Sequence, residues 1–194
     1  MGKQDDSNLI TSGIYKVLST VGVQTVIVGL SFVTGLILPA KMGPEMYGYW
    51  QIFTLYFGYL NLFGLGYSDG MTLFYGGQEY KNLPFANIRG ATLVAGLFIS
   101  CISVILYMAA GLIPDIHQEF IFQLLALNIP LVCISCLVIS IASSTNQTTL
   151  YNSLNLFQRV VTIGAYVILL CMSIVDYRSM ILGDTIARII FVCL

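Results

Sequence analysis

Charged side chains are scarce in this chain. Its 194 residues include 8 Lys or Arg and 9 Asp or Glu, 9% in all, against about 25% in an ordinary soluble domain. The formal net charge is −1, and no run of Lys or Arg forms a basic patch of the kind that binds nucleic acid. The composition excludes an ordinary soluble domain and predicts no nucleic-acid partner.

Motifs of catalysis and of cofactor binding are missing as well. There is no Walker loop, and the glycine-rich stretch 64–70 follows a helix with the wrong spacing for a dinucleotide fingerprint. The single histidine, His117, lies in a short loop, where a lone histidine is usually solvated. Cys133 and Cys136 have C-x-x-C spacing but lie inside an apolar run, so we expect packing rather than redox or zinc chemistry. The sequence predicts no enzyme, no cofactor and no metal.

Long uncharged stretches are what the chain has in abundance. They cover residues 17–40, 46–68, 90–114 and 120–158. A bilayer core about 30 Å thick needs roughly 20 apolar residues in a helix, and each stretch reaches that length. We therefore predict an integral membrane protein.

The fold class predicted is all-α, an antiparallel transmembrane helix bundle, because unpaired strand edges are too costly in lipid. The expected spans are 17–40, 46–66, 88–112, 120–143 with a kink at Pro130, 152–174, and an incomplete one over 180–194. Residues 1–194 are then a single lobe. Two explanations of the sixth span stay open: a piece of a longer protein, which we favour, or a short helix.

Orientation is predicted from Lys and Arg. With the N-terminus in the cytoplasm, five of them lie inside and two outside, which the positive-inside rule favours over the reverse. The inner set is Lys3, Lys16, Lys81, Arg89 and Arg159, and the outer set is Lys41 and Arg178.

Polar groups at membrane depth are the candidate functional residues, because a charge there is costly and usually faces a cavity or a partner. Asp184 and Arg188 are four residues apart on one helix face, as a self-contained ion pair or as part of an aqueous cavity that attracts an anion. Arg159 either extends to the inner surface or faces the same cavity.

Uncharged polar residues form a second group of candidates. In the first span Gln24, Ser31 and Thr34 lie near one helical stripe, either as ordinary packing or as the lining of a groove. Asn61 is expected to face the same space. Asp69 with Gly70 is expected to form the turn out of the second span, followed by an amphipathic segment on the cytoplasmic face.

Two stretches resemble the N-terminal part of bacterial polysaccharide flippases of the O-antigen or capsule type, in the superfamily of multidrug and toxin extrusion (MATE) transporters. They are 38–51 (LPAKMGPEMYGYWQ) and 64–80 (GLGYSDGMTLFYGGQEY). Members of the family often carry an arginine where this chain has Phe74.

The resemblance implies one lobe of a two-lobed transporter of 12 to 14 helices in the bacterial cytoplasmic membrane. It implies translocation of oligosaccharide linked to polyprenyl pyrophosphate, with membrane lipid and a C-terminal lobe as partners. Cavity cations are the expected anion contacts, and Arg159, Arg188 and Arg89 are the residues here that match that role.

Two other functions remain open. A cation-coupled multidrug exporter has the same fold, but it would be expected to carry an acidic residue in the first spans, and residues 17–40 contain none. The second open function is that of a non-transporting membrane scaffold or a truncated product. A membrane-embedded glycosyltransferase ranks lower, because the outer loops are short.

Overall fold

The computed structural model describes residues 2–78, 81, 83–145, 147–172 and 176–193, with side chains from residue 14 onward. About 90% of the chain is helical, and no strand occurs among the described residues. The α-helices are α1 (Gly2–Met42), α2 (Pro44–Gly58), α3 (Tyr67–Tyr75), α4 (Phe85–Ala110), α5 (Ile116–Ser144), α6 (Thr148–Cys171) and α7 (Tyr177–Cys193), with a 3₁₀ helix at Leu60–Gly64.

Four of the described helices are long and apolar enough to cross a membrane, so the chain is an all-α, multi-pass membrane protein by length and composition. The four spans are Ile14–Met42, Phe85–Ala110, Ile116–Ser144 and Thr148–Cys171. Their most apolar windows have mean hydropathies of 2.1, 2.4, 2.5 and 1.7. The first, third, fourth and fifth predicted spans correspond to these helices.

The fold is organised around α5. It contacts α2, α3, α4, α6, α7 and the 3₁₀ helix, and 44% of its most apolar window is buried, against 6% for α1. The core includes Leu38, Ile121, Ile129, Met180 and Ile181, which are almost fully inaccessible. The helix continues through Pro130. Helix α1 lies at the periphery of the bundle, so one of its faces is exposed.

The second predicted span, 46–66, was wrong as a continuous α-helix. Helix α2 ends at Gly58 and the chain continues as the 3₁₀ helix. Leu65 and Gly66 then take left-handed backbone angles, with φ values of 49° and 70°. Glycine tolerates that region and is costly inside a helix, so a glycine-rich segment favours a break here.

The turn predicted at Asp69–Gly70 was also wrong, because both residues lie inside α3 and the turn is at Leu65–Gly66. Helix α3 buries Met71 and exposes Leu73 and Phe74. The last two residues of the second motif, at positions 79 and 80, lie outside the described residues. The sixth predicted span begins three residues earlier than expected, at Tyr177.

Candidate functional site

A cavity of about 200 Å³ lies where α1, α2, α6 and α7 meet, and we name it the arginine cavity. Four different helices therefore contribute to it, and the sequence had suggested candidates from the first, second, fifth and sixth predicted spans. The residues around it are Ser31, Thr34, Gly35, Trp50, Phe53, Thr54, Phe57, Arg159, Tyr166, Asp184 and Arg188.

The pair predicted from its four-residue spacing is formed. Nε of Arg188 lies 3.0 Å from Oδ2 of Asp184, with side chains 15% and 7% exposed. The guanidinium lies over the ring of Phe57, 4.0 Å from its centroid, and the hydroxyl of Tyr166 donates to Oδ1 of Asp184 at 3.4 Å. The pair is intrahelical, and both of its residues also lie in the cavity wall.

Arg159 faces the same cavity. Its Nη2 donates to Oγ of Ser31 on α1, and its Nε is buried without a hydrogen-bond partner among the described residues. With one carboxylate and two guanidiniums, the charged groups of the cavity sum to +1. An unpaired buried donor is costly unless water or a ligand accepts from it. The arrangement suits an anion or an ordered water.

The polar stripe of α1 bonds partly to its own helix. The hydroxyls of Ser31 and Thr34 donate to backbone carbonyls one turn earlier. Farther along the α1–α6 contact, Nδ2 of Asn152 donates to Ser19 at 3.2 Å and to Thr20 at 3.3 Å. Ordinary back-bonding and a polar contact with α6 therefore occur together.

A second cavity, of about 430 Å³, brings Asn61 and Asp69 together. Sγ of Cys136 donates to Oδ1 of Asn61 at 3.1 Å. Cys133 is a buried part of the core, as the packing prediction required, while Cys136 is only half-buried.

Two predicted site residues lie elsewhere. Arg89 is exposed near the start of α4, and Gln24 is half-buried on α1; neither is among the residues around the two cavities. The sequence also missed Phe57 and Tyr166, because an aromatic residue inside an apolar helix gives no signal that distinguishes a cavity wall from packing. Their contacts with Arg188 and Asp184 depend on how α2, α6 and α7 pack together.

His117 is half-buried at the start of α5 and does not lie in the solvated loop that was predicted. Its ring stacks on Tyr49 of α2, with centroids 4.7 Å apart, and its Nδ1 lies 2.6 Å from the hydroxyl of Tyr177 on α7. Asp115 caps α5 by accepting from the backbone N–H of His117 at 2.9 Å. The pKa of Arg178 is raised mainly because its guanidinium donates to the Tyr177 hydroxyl, and also because Asp176 lies nearby. Arg178 therefore stays charged at any physiological pH.

Comparison with known proteins gives no assignment. No protein-family model, no curated protein and no solved structure matches the chain.

Proposed function

We propose that the chain is the N-terminal lobe of a bacterial flippase, which moves oligosaccharide linked to polyprenyl pyrophosphate from the inner to the outer leaflet of the cytoplasmic membrane. The observation that carries the proposal is the arginine cavity, where Arg159 and the Asp184–Arg188 pair leave one excess positive charge. Excess cations in a membrane cavity attract anions, and pyrophosphate is the anionic part of this substrate.

The size of the cavity defines what this lobe can hold. About 200 Å³ is below the roughly 300–1,000 Å³ of ordinary ligand pockets, so it accommodates a headgroup and not an oligosaccharide. A sugar chain needs the larger space between two lobes, which transporters open to alternate sides by rocking. The polyprenyl tail stays in the bilayer, so the cavity needs to shield only the polar part.

The test is translocation of a fluorescent lipid-linked oligosaccharide in vesicles that contain the full-length protein. Arg159→Gln removes a charged donor, and losing about 1.5–3 kcal/mol of charge-assisted hydrogen bonding corresponds to a decrease of about tenfold or more. Arg89→Gln is the matched control, because Arg89 is exposed and away from the cavity; its rate should equal that of the unmodified protein.

Two results would reject the proposal. One is an equal rate for Arg159→Gln and Arg89→Gln. The other is translocation by residues 1–194 alone, because one lobe has no counterpart against which to rock.

A cation-coupled exporter is the second candidate. The observation in its favour is Asp69, an exposed carboxylate in the cavity that also contains Asn61. Dye efflux driven by a Na⁺ or H⁺ gradient, lost in Asp69→Asn and accompanied by no oligosaccharide movement, would establish it. A scaffold would show neither activity while remaining folded.

A further inference from the structure

His117 joins three helices at one end of the bundle. It lies on α5, stacks on Tyr49 of α2 with an interplanar angle of 23°, and contacts Tyr177 of α7 through its Nδ1. Tyr49 and Tyr177 also contact each other, with ring centroids 5.1 Å apart, and Tyr177 is 1% exposed. We name these three residues together with Arg178 the histidine latch.

The hydrogen bonds of Tyr177 limit where the protons can lie. Nε of Arg178 donates to its hydroxyl oxygen at 2.9 Å, and a guanidinium cannot accept. The hydroxyl proton of Tyr177 is then free to be donated to Nδ1 of His117 whenever that nitrogen carries a lone pair, as in the neutral imidazole with its proton on Nε2. A protonated Nδ1 would instead donate to the same oxygen that accepts from Arg178. The guanidinium also lies 5.2 Å from the ring centroid of Phe120, which holds it in place.

Charged and titratable groups surround this imidazole on all three helices. Asp115 and Glu119 flank it on α5, and the carboxylate of Glu119 accepts from Gln123 at 3.0 Å. The remaining groups are Glu45 and Tyr49 on α2, and Asp176, Tyr177 and Arg178 on or beside α7.

We infer that the histidine latch is a pH-sensitive contact, closed while His117 is neutral and open when His117 is protonated. A protonated Nδ1 can only donate to the Tyr177 oxygen, which already accepts from Nε of Arg178, so two positively charged groups then meet at one oxygen. The carboxylates of Asp115 and Glu119 offer the imidazolium a better partner. Histidine is the side chain that ordinarily gains its charge between about pH 5 and 8.

Opening the latch has a consequence for the arginine cavity. Helix α2 contributes Trp50 and Phe57 to that cavity, and α7 contributes Asp184 and Arg188. The latch connects these two helices to α5, the central helix of the fold. Releasing it removes a contact that ties two of the four cavity helices to α5.

The test uses Trp50, the single tryptophan of the chain, which follows Tyr49 directly. The protein is placed in lipid nanodiscs and its Trp50 emission is recorded from pH 7.5 to pH 5.0. The emission maximum should shift in the unmodified protein. The shift should be absent in His117→Asn, which removes the only histidine, and strongly reduced in Tyr177→Phe, which keeps the ring but not the hydroxyl.

Circular dichroism at pH 7.5 shows whether each variant is folded, and Tyr177→Phe supplies an independent answer if His117→Asn fails to fold. The inference is overturned by a constant emission maximum in the unmodified protein, by an unchanged shift in His117→Asn, or by a full-sized shift in Tyr177→Phe. The readout involves no transport, so the result is independent of the proposed function.

Discussion

Asp184→Asn measures whether the arginine cavity is wet. The substitution removes the charge that pairs with Arg188 at 3.0 Å but keeps an oxygen that can accept from Tyr166. In a dry interior, breaking a buried ion pair costs about 3–5 kcal/mol, because the remaining charge is left unpaired. At a solvated surface, the same loss is about 0–1 kcal/mol.

The structure places the expected cost between these limits. The side chains of Asp184 and Arg188 are only 7% and 15% exposed, which argues against the surface value. In the variant, the Arg188 guanidinium still has its cation–π contact with Phe57, whose ring centroid lies 4.0 Å away. Such a contact stabilises by about 0.5–2 kcal/mol. The cavity of about 200 Å³ has room for water molecules, each of which occupies about 30 Å³. We expect the free energy of unfolding to fall by about 1–2 kcal/mol.

The assay is reversible unfolding of the protein in mixed micelles of mild detergent and dodecyl sulfate, followed by helical circular dichroism. Asp176→Asn is the matched control, because it makes the same chemical change at the start of α7, where Asp176 accepts from the backbone N–H of Arg178. Asparagine caps helices as well as aspartate, so this variant should change stability by less than about 0.5 kcal/mol. A loss above about 3 kcal/mol for Asp184→Asn would indicate a dry cavity and refute the reasoning.

Three further substitutions are expected to destabilise the protein in the same assay. Asp115→Ala removes the cap of α5 and should cost about 0.5–2 kcal/mol, while Asp115→Asn should be nearly neutral; equal losses would contradict the capping role. Asn128 is fully buried, and its Nδ2 donates to Oγ1 of Thr185 at 2.9 Å. Asn128→Asp puts a charge at this position and should lower the free energy of unfolding by more than about 3 kcal/mol, whereas Asn128→Leu should lower it far less. Gly66→Ala introduces a Cβ at a φ of 70° and should cost about 1–2 kcal/mol, against little change for Gly48→Ala in α2; no difference between the two would contradict the left-handed turn.

The four long apolar helices and the ion pair were predictable because they depend on local pattern. Uncharged length identified α1, α4, α5 and α6, and a spacing of four residues is enough to bring Asp184 and Arg188 together. The break after Gly58 was missed although Gly58, Gly64 and Gly66 were visible. Apolar length was weighed more heavily than the low helix propensity of glycine.

The remaining parts of the site depend on contacts between residues far apart in sequence. Arg159 meets Ser31 across 128 residues, and His117 meets Tyr177 across 60, so neither contact leaves a local signal. A lone histidine in a short loop suggested a solvated side chain, while the actual partners of His117 come from α2 and α7. The same reason explains why Gln24 and Arg89, polar residues in apolar surroundings, could not be distinguished from residues around the cavity.

The central claim is that α1, α2, α6 and α7 enclose a wet, weakly cationic chamber. Thiol labelling tests it most directly, with Thr34→Cys beside the cavity and Val33→Cys as its neighbour, which is 51% exposed and absent from the residues around the cavity. Both are made in a chain whose five native cysteines have been replaced. We predict that Thr34→Cys reacts in membranes with a charged methanethiosulfonate, faster with the sulfonate than with the trimethylammonium reagent, while Val33→Cys does not react. Labelling of Val33→Cys without Thr34→Cys, or a preference for the cationic reagent, would contradict the claim.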